Sequence, residues 1–436
     1  MQNFSFLGEH IAKEVSSISK LVRVLVLLCL VFPSMTNAET NTDGIKMAFV
    51  KDGFLWLKEN GKEEKLVELK ATDNYAPQWS FDGKMLLYQK EVAGGIYESQ
   101  KTSNELWVYD TETKKHRKIF YDGGNPKWSP IENIVAFNQG GTLNISDLNG
   151  FHNVALGVDS YEWMPDGKGF IASSSASLRP DGWTSPTLFT ISIKEGYRNL
   201  DLTKHDNVTE LFVIPKEIGI DNVTIPSISA ESFTFSPDGK WISFIVTPWA
   251  SWSMDSDMLC VISVDGKKFE VLDEVILQFK PKWAYQKNHL GYIAGGGRIV
   301  FGFKNKDLKV TELPATNTLN LTPDNYAEMG FTWVDDASLI VSRVKESEWS
   351  NDPEQRPVPS LYFLTLGGDK QVKITSPPKL VGDYDPIFLP SINKITWLRS
   401  SEFPSAKSDL WIADPNGEHA EIWVEDIDLY SYYPTK

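Results

Sequence analysis

Cysteine and histidine are scarce in this chain, and net positive charge is missing altogether. Only two cysteines occur, Cys29 and Cys260. Cys29 lies in an apolar N-terminal run, so Cys260 has no partner for an intramolecular disulfide. Its setting, "DMLCVISV", is an apolar strand pattern, which predicts a buried, inert thiol. The histidines beyond the N-terminal run are His116, His152, His205, His289 and His419. Four of them fall in turns, and only His205 lies in a segment able to reach a functional face, so no imidazole metal site is expected. Lys and Arg total 43 against 58 Asp and Glu, a formal charge of −15, which excludes a phosphate-tracking nucleic-acid surface. A G-x-S-x-G nucleophile elbow is also lacking, which argues against a serine hydrolase unit within these residues.

Helical periodicity is absent as well, beyond residue 40. What is present is aromatic: 15 Trp, 15 Tyr and 23 Phe, a composition suited to pleated, half-buried surfaces. The N-terminus reads as an address. Lys20 and Arg23 precede "VLVLLCLVF" and then "PSMTNAET", the order of a secretory signal with small residues at Thr36 and Ala38. The expected organisation is a signal over 1–38, a short linker over 39–44 and one β domain over 45–436, in an extracytoplasmic protein. Retention of the N-terminal segment as an anchor is the other option.

One hairpin pattern recurs through the rest. "SFTFSPDGKWISFIV" at Ser232 is an apolar strand, a tight turn and a second apolar strand. Aligned copies place one aromatic slot at Trp79, Trp128, Trp163, Phe235, Trp283, Trp333 and Phe388. The slots lie roughly 50 residues apart, as expected for a four-stranded unit with variable loops. Third strands such as "ELWVYD", "LFTISI" and "DLWIAD" follow each hairpin. In the turn, Pro237 pre-sets φ, Asp238 can bond its own backbone, and Gly239 takes the left-handed position. The preceding aromatic is expected to wedge between units.

The repeated W-S-P-D-G-K hairpin followed by L-W-V-x-D resembles the TolB-like β-propeller repeat. The resemblance covers about residues 45–436. It is near-complete in "WSFDGK", "WMPDGK" and "FSPDGK" and blurred in "WAYQKN", "WVDDAS" and "FLPSIN". It extends to the propeller alone, not to TolB as a whole, and it implies a fold rather than an activity. The expected fold is all-β, a β-propeller of four-stranded blades, eight in number with seven as the second choice. Lys46 to Leu69 supplies three strands of one blade, and the C-terminal "LYSYYPTK" supplies its inner strand. That closure leaves no unpaired edge. Aligning Pro434 with Pro77 puts the aromatic slot of this strand at the chain's last residue.

Two residue sets are candidates for function. The loops joining strands two and three carry Tyr97, Trp183, Trp249, Trp252, Trp349 and Phe403, with Arg179, Arg343, Arg356 and Arg399 nearby. Exposed aromatics beside Arg suit a recognition rim; alternatively, each Trp folds back to cap its own blade. A second set, Asp73, Tyr75, Asp159, Tyr161, Glu231, Glu328, Asp383 and Asp385, is placed to ring a channel mouth, where it could hold a cation or a basic peptide. The Pro-Asp-Gly turns lie on the opposite face. The functional expectation is a non-catalytic exported scaffold that binds a protein or peptide through the loop-rich rim, with no catalytic residues, metal or cofactor. The alternative is a glycan-binding or glycoside-hydrolysing propeller using the same Trp residues, which would need two carboxylates about 5–9 Å apart.

Overall fold

Alternating apolar residues bounded by turn chemistry produce antiparallel meanders of four strands, and this unit recurs along the chain. The computed structural model describes residues 42, 44–69, 75–94, 102–248, 256–276, 279–296, 302–368, 371–401 and 407–433. The expected leader at 1–38 lies outside the described residues. Each unit is named below by the residue in its aromatic slot. The Trp79 sheet comprises Gln78–Trp79, Met85–Ala93, Thr102–Asp110 and Lys115–Phe120, and the Trp163 sheet Ser160–Trp163, Gly169–Ser174, Thr187–Ser192 and Val208–Val213. The Trp128, Phe235, Trp283, Trp333 and Phe388 sheets repeat this order. The Phe235 and Trp283 sheets also touch through one bridge, Val275 to Ala294, which merges them into an eight-stranded sheet.

The last described strand, Tyr430–Tyr433, pairs antiparallel with Lys46–Phe49 and forms a sheet with Phe54–Glu59 and Lys62–Glu68. Here the slot differs from the sequence expectation. Met47 pairs with Tyr432, as Leu86 pairs with Trp79, so Tyr432 fills the slot and Ser431 precedes it. The Pro-to-Pro alignment therefore placed this slot too late, at Lys436 instead of Tyr432.

The tight turns follow from their residues. Ser236 Oγ donates to Asp238 Oδ1 (2.7 Å), Asp238 Oδ1 accepts from the Lys240 N–H (3.0 Å), and Ser236 Oγ accepts from the Trp241 N–H (3.0 Å). Gly239 sits at φ 68°, which an L side chain resists. Ser80, Asp82 and Gly83 repeat this set. So do Ser263, Asp265 and Lys267 in a turn between third and fourth strands, a copy the hairpin alignment does not reveal.

The slot aromatics join one sheet to the next. Trp128 Nε1 donates to the Gln78 carbonyl (3.1 Å), Trp163 to that of Lys127 (3.2 Å), and Trp333 to that of Lys282 (2.9 Å). Trp283 Nε1 reaches Thr234 Oγ1 (3.1 Å), and Trp79 reaches the Ser431 carbonyl (3.4 Å). Every acceptor residue is the one just before the preceding sheet's slot. A buried indole thus satisfies its N–H across the seam, worth about 1 kcal/mol net per bond. The long gap between Trp163 and Phe235 hides no further four-stranded unit. It holds two two-stranded hairpins, Leu178–Arg179 with Gly182–Trp183 and Glu217–Ile220 with Val223–Pro226. The second buries Ile218 and Ile225 in the apolar cluster of the Phe235 sheet. Cys260 is wholly buried in that cluster, and burial pushes its thiol pKa far up.

Candidate channel site

The first strands of four sheets share a defect. Three residues before the slot, the chain takes a left-handed conformation: Asn125 (φ 47°), Ser232 (φ 59°), Gly330 (φ 154°) and Asp385 (φ 46°). At each of these places the pairing with the second strand shifts register. These are β-bulges, which re-aim side chains and cluster near functional sites. Asp and Asn tolerate this conformation better than other L residues do.

Two of the re-aimed segments meet Lys282. Its Nζ donates to the Phe331 carbonyl (2.6 Å) and lies 5.1 Å from the Phe331 ring centre. Asp385 Oδ1 sits beside the neighbouring residue, 3.4 Å from where a Cβ on Gly330 would stand. The ammonium thus lies on the Phe331 carbonyl and the carboxylate beside Gly330, so both meet the same two-residue segment. Both residues are solvent-exposed. The walls around them are nonetheless close enough that desolvation dominates. Burial lowers the Lys282 pKa and raises that of Asp385, and in each case the other's charge partly offsets the shift. Tyr430, on the closing strand, is raised far above the usual phenol by burial and then by Tyr432 and Asp385. Perturbed groups drawn from different sheets mark a candidate functional site.

A cavity of about 790 Å³ opens beside this cluster. Glu162, Thr234, Lys282 and Thr332 line it, each one residue before a slot, together with Phe235, Trp283 and Trp333. Pro130, Pro165 and Pro237 of the repeated turns complete the wall. The cavity therefore opens on the turn side, the face the sequence reading set aside. Phe235, unlike the Trp residues, has no N–H to give to the equivalent acceptor, Glu162. Glu162 is instead held by Lys127 (2.7 Å), whose Nζ also donates to the Tyr161 carbonyl (2.8 Å).

The residues expected at the rim and mouth scatter. Asp73, Tyr97, Trp249, Trp252 and Phe403 lie outside the described residues. Arg179 is exposed on a two-stranded hairpin, where half-buried Trp183 faces Leu178. Trp349 stacks on Phe303 at 5.9 Å, with the Arg356 guanidinium 4.0 Å from its ring centre, and it remains exposed. Arg343 is a correction. It is buried and donates Nε to Glu328 Oε1 (2.7 Å), with Gln371 as a further partner. Arg399 likewise grips Asp383 (2.6 and 3.0 Å), which also accepts from Trp397 Nε1 (2.8 Å). Glu328 and Asp383 thus belong to buried cross-strand pairs rather than to a ring of free carboxylates, because a charge taken from water needs its counter-charge. Burial still raises Glu328 to about 7, against the pull of Arg343 and Thr322. Tyr161 is buried with its hydroxyl on the Asn125 carbonyl (2.6 Å), Tyr75 is half-buried and Asp159 exposed. Burial raises Glu231, partly offset by Lys280.

The sequence reading missed Lys282, Tyr430 and the turn-side cavity. Their signal was available: Gln78, Lys127, Glu162, Thr234, Lys282, Thr332 and Ser431 put a polar residue just before the slot of strands that are otherwise largely apolar. Among the described residues, no three His, Cys, Asp or Glu side chains converge at metal-ligand spacing.

No family model and no curated protein matches the chain. Solved structures do match. A eukaryotic initiation factor is 11% identical, with 88% of this chain and 86% of that chain covered at a TM-score of 0.55. A dihydro-heme d1 dehydrogenase is 11% identical, with 89% and 75% covered at 0.54. Dipeptidyl peptidase 4 of Porphyromonas gingivalis is 10% identical, with 84% and 58% covered at 0.51. The chain spans about half the length of the puromycin-hydrolysing peptidases it also matches, 53% of the one from Mycobacterium tuberculosis. At these identities the likeness establishes the fold: all-β, of propeller type. It also corrects the functional expectation. The fold is shared with a catalytic protein, dipeptidyl peptidase 4, so a non-catalytic scaffold does not follow from this architecture.

Proposed function

We propose that this chain is the channel-bearing propeller of a peptide-processing protein, with short peptides bound at Lys282 and Asp385, beside the turn-side cavity that Lys282 lines. The observation that carries the reading is an ammonium and a carboxylate that both meet the Gly330–Phe331 segment, with about 790 Å³ of space lined by Lys282. The similarity of fold to a dipeptidyl peptidase supports it. The site's chemistry is binding and orientation: a partly desolvated Lys and Asp act on a peptide's charged groups more strongly than exposed ones do. The ring we infer has eight blades, the eighth closed by the pairing of Tyr430–Tyr433 with Lys46–Phe49. The repeat is of TolB-like type, and the protein works outside the cytoplasm.

The test is calorimetric titration of the full chain with a panel of di- to tetrapeptides, with mass spectrometry of the same mixtures for cleavage. Peptides are expected to bind to the wild type and to lose at least tenfold in affinity in Lys282→Met. A panel in which no peptide binds and none is cleaved overturns the reading.

A further inference from the structure

The channel site carries two opposite charges, and each is left with unused bonding capacity. Lys282 has three N–H donors and spends one on the Phe331 carbonyl. Among the described residues, the Asp385 carboxylate takes part in no hydrogen bond or ion pair, although an ionised carboxylate accepts several. Asp385 is the left-handed residue of the bulge in its first strand, at φ 46°. Across from it stands Gly330, where any side chain would come into contact with Asp385 Oδ1. Glycine there keeps the approach to the carboxylate open. Lys282, in turn, faces the turn-side cavity.

We propose that this site recognises both ends of a free, zwitterionic short peptide, with the α-carboxylate on Lys282 and the α-ammonium on Asp385. The inference rests on the peptide-processing reading and narrows it to unblocked peptides of two or three residues. A peptide blocked at either end leaves one partly desolvated charge of the site without its partner, and an unmatched polar group is what makes such sites selective.

The experiment titrates the full chain with Ala-Ala, N-acetyl-Ala-Ala and Ala-Ala-amide. Ala-Ala is expected to bind, and each blocked form to bind at least tenfold more weakly. Lys282→Met should abolish the penalty for the amide alone, and Asp385→Asn, which tolerates the same backbone conformation, the penalty for the acetyl group alone. Lys282→Arg controls for folding and should keep both penalties. If all three ligands bind equally, two-ended recognition is overturned while the peptide reading stands. If none binds to the wild type, both are overturned.

Discussion

The Trp79 and Phe235 sheets are pinned at the turn end of their first hairpin, the Trp333 and Phe388 sheets at the opposite end. In the former, Ser80–Asp82–Gly83 and Ser236–Asp238–Gly239 close the turn with three side-chain hydrogen bonds each. In the latter the motif has decayed to "WVDDAS" and "FLPSIN", and a buried carboxylate–Arg pair appears five residues before the slot: Glu328 with Arg343, Asp383 with Arg399. One topology thus tolerates two ways of fixing the register of strand one on strand two. A turn does it by backbone geometry. A buried pair does it because only one register brings the charges together.

Removing one partner of a buried pair tests the contrast most severely. Arg343→Met leaves Glu328 uncompensated and is expected to cost about 3–5 kcal/mol in denaturant unfolding. The double change Glu328→Leu with Arg343→Met should recover most of that. A neutral single variant would break the comparison. Glycine substitutions come next and separate two turns with identical chemistry. Gly239→Ala meets no neighbour within 4 Å and should cost only its left-handed backbone, about 1–2 kcal/mol. Gly83→Ala would drive a Cβ to 2.2 Å from the Tyr433 ring and should cost measurably more, in the seam of the closing strand. Equal losses would show that Tyr433 yields freely.

Trp163→Phe deletes one inter-sheet N–H bond to the Lys127 carbonyl while keeping most of the aromatic bulk, and about 1 kcal/mol is expected. A separate signal lies in the pH dependence. Glu328 is raised from 4.5 to about 7 in the folded chain, so the fold binds its proton more tightly than the unfolded chain does. Its contribution is fully present below about pH 4.5 and is lost as pH rises through 7. Glu328→Gln should therefore flatten this part of the stability profile between pH 4.5 and 7. An unchanged slope would assign the pH dependence to other groups.

The hairpin repeat was legible because its residues act locally. Asp238 and Gly239 close their turn through neighbours within five residues, and period-two alternation shows wherever one face is buried. The site was far less legible. Lys282, Asp385 and Tyr430 stand on three different sheets, and nothing in their local sequence marks them as neighbours. Arg343 and Glu328 were misplaced for the same reason: a charge at a strand end reads as exposed unless its cross-strand partner is known. Trp349 is exposed as the sequence suggests, but its stacking on Phe303, 46 positions away, could not be read from local sequence.

By itself the sequence determined the unit: a four-stranded antiparallel meander, its turns, its aromatic slot and its repetition, all of which follow from contacts between residues near in the chain. Only the tertiary structure decided which charges would be paired and buried, which face would open into a cavity, and that Tyr432 would fill the last slot. Those outcomes depend on how successive sheets pack against one another, and charge pairing and desolvation are properties of that packing rather than of any local stretch.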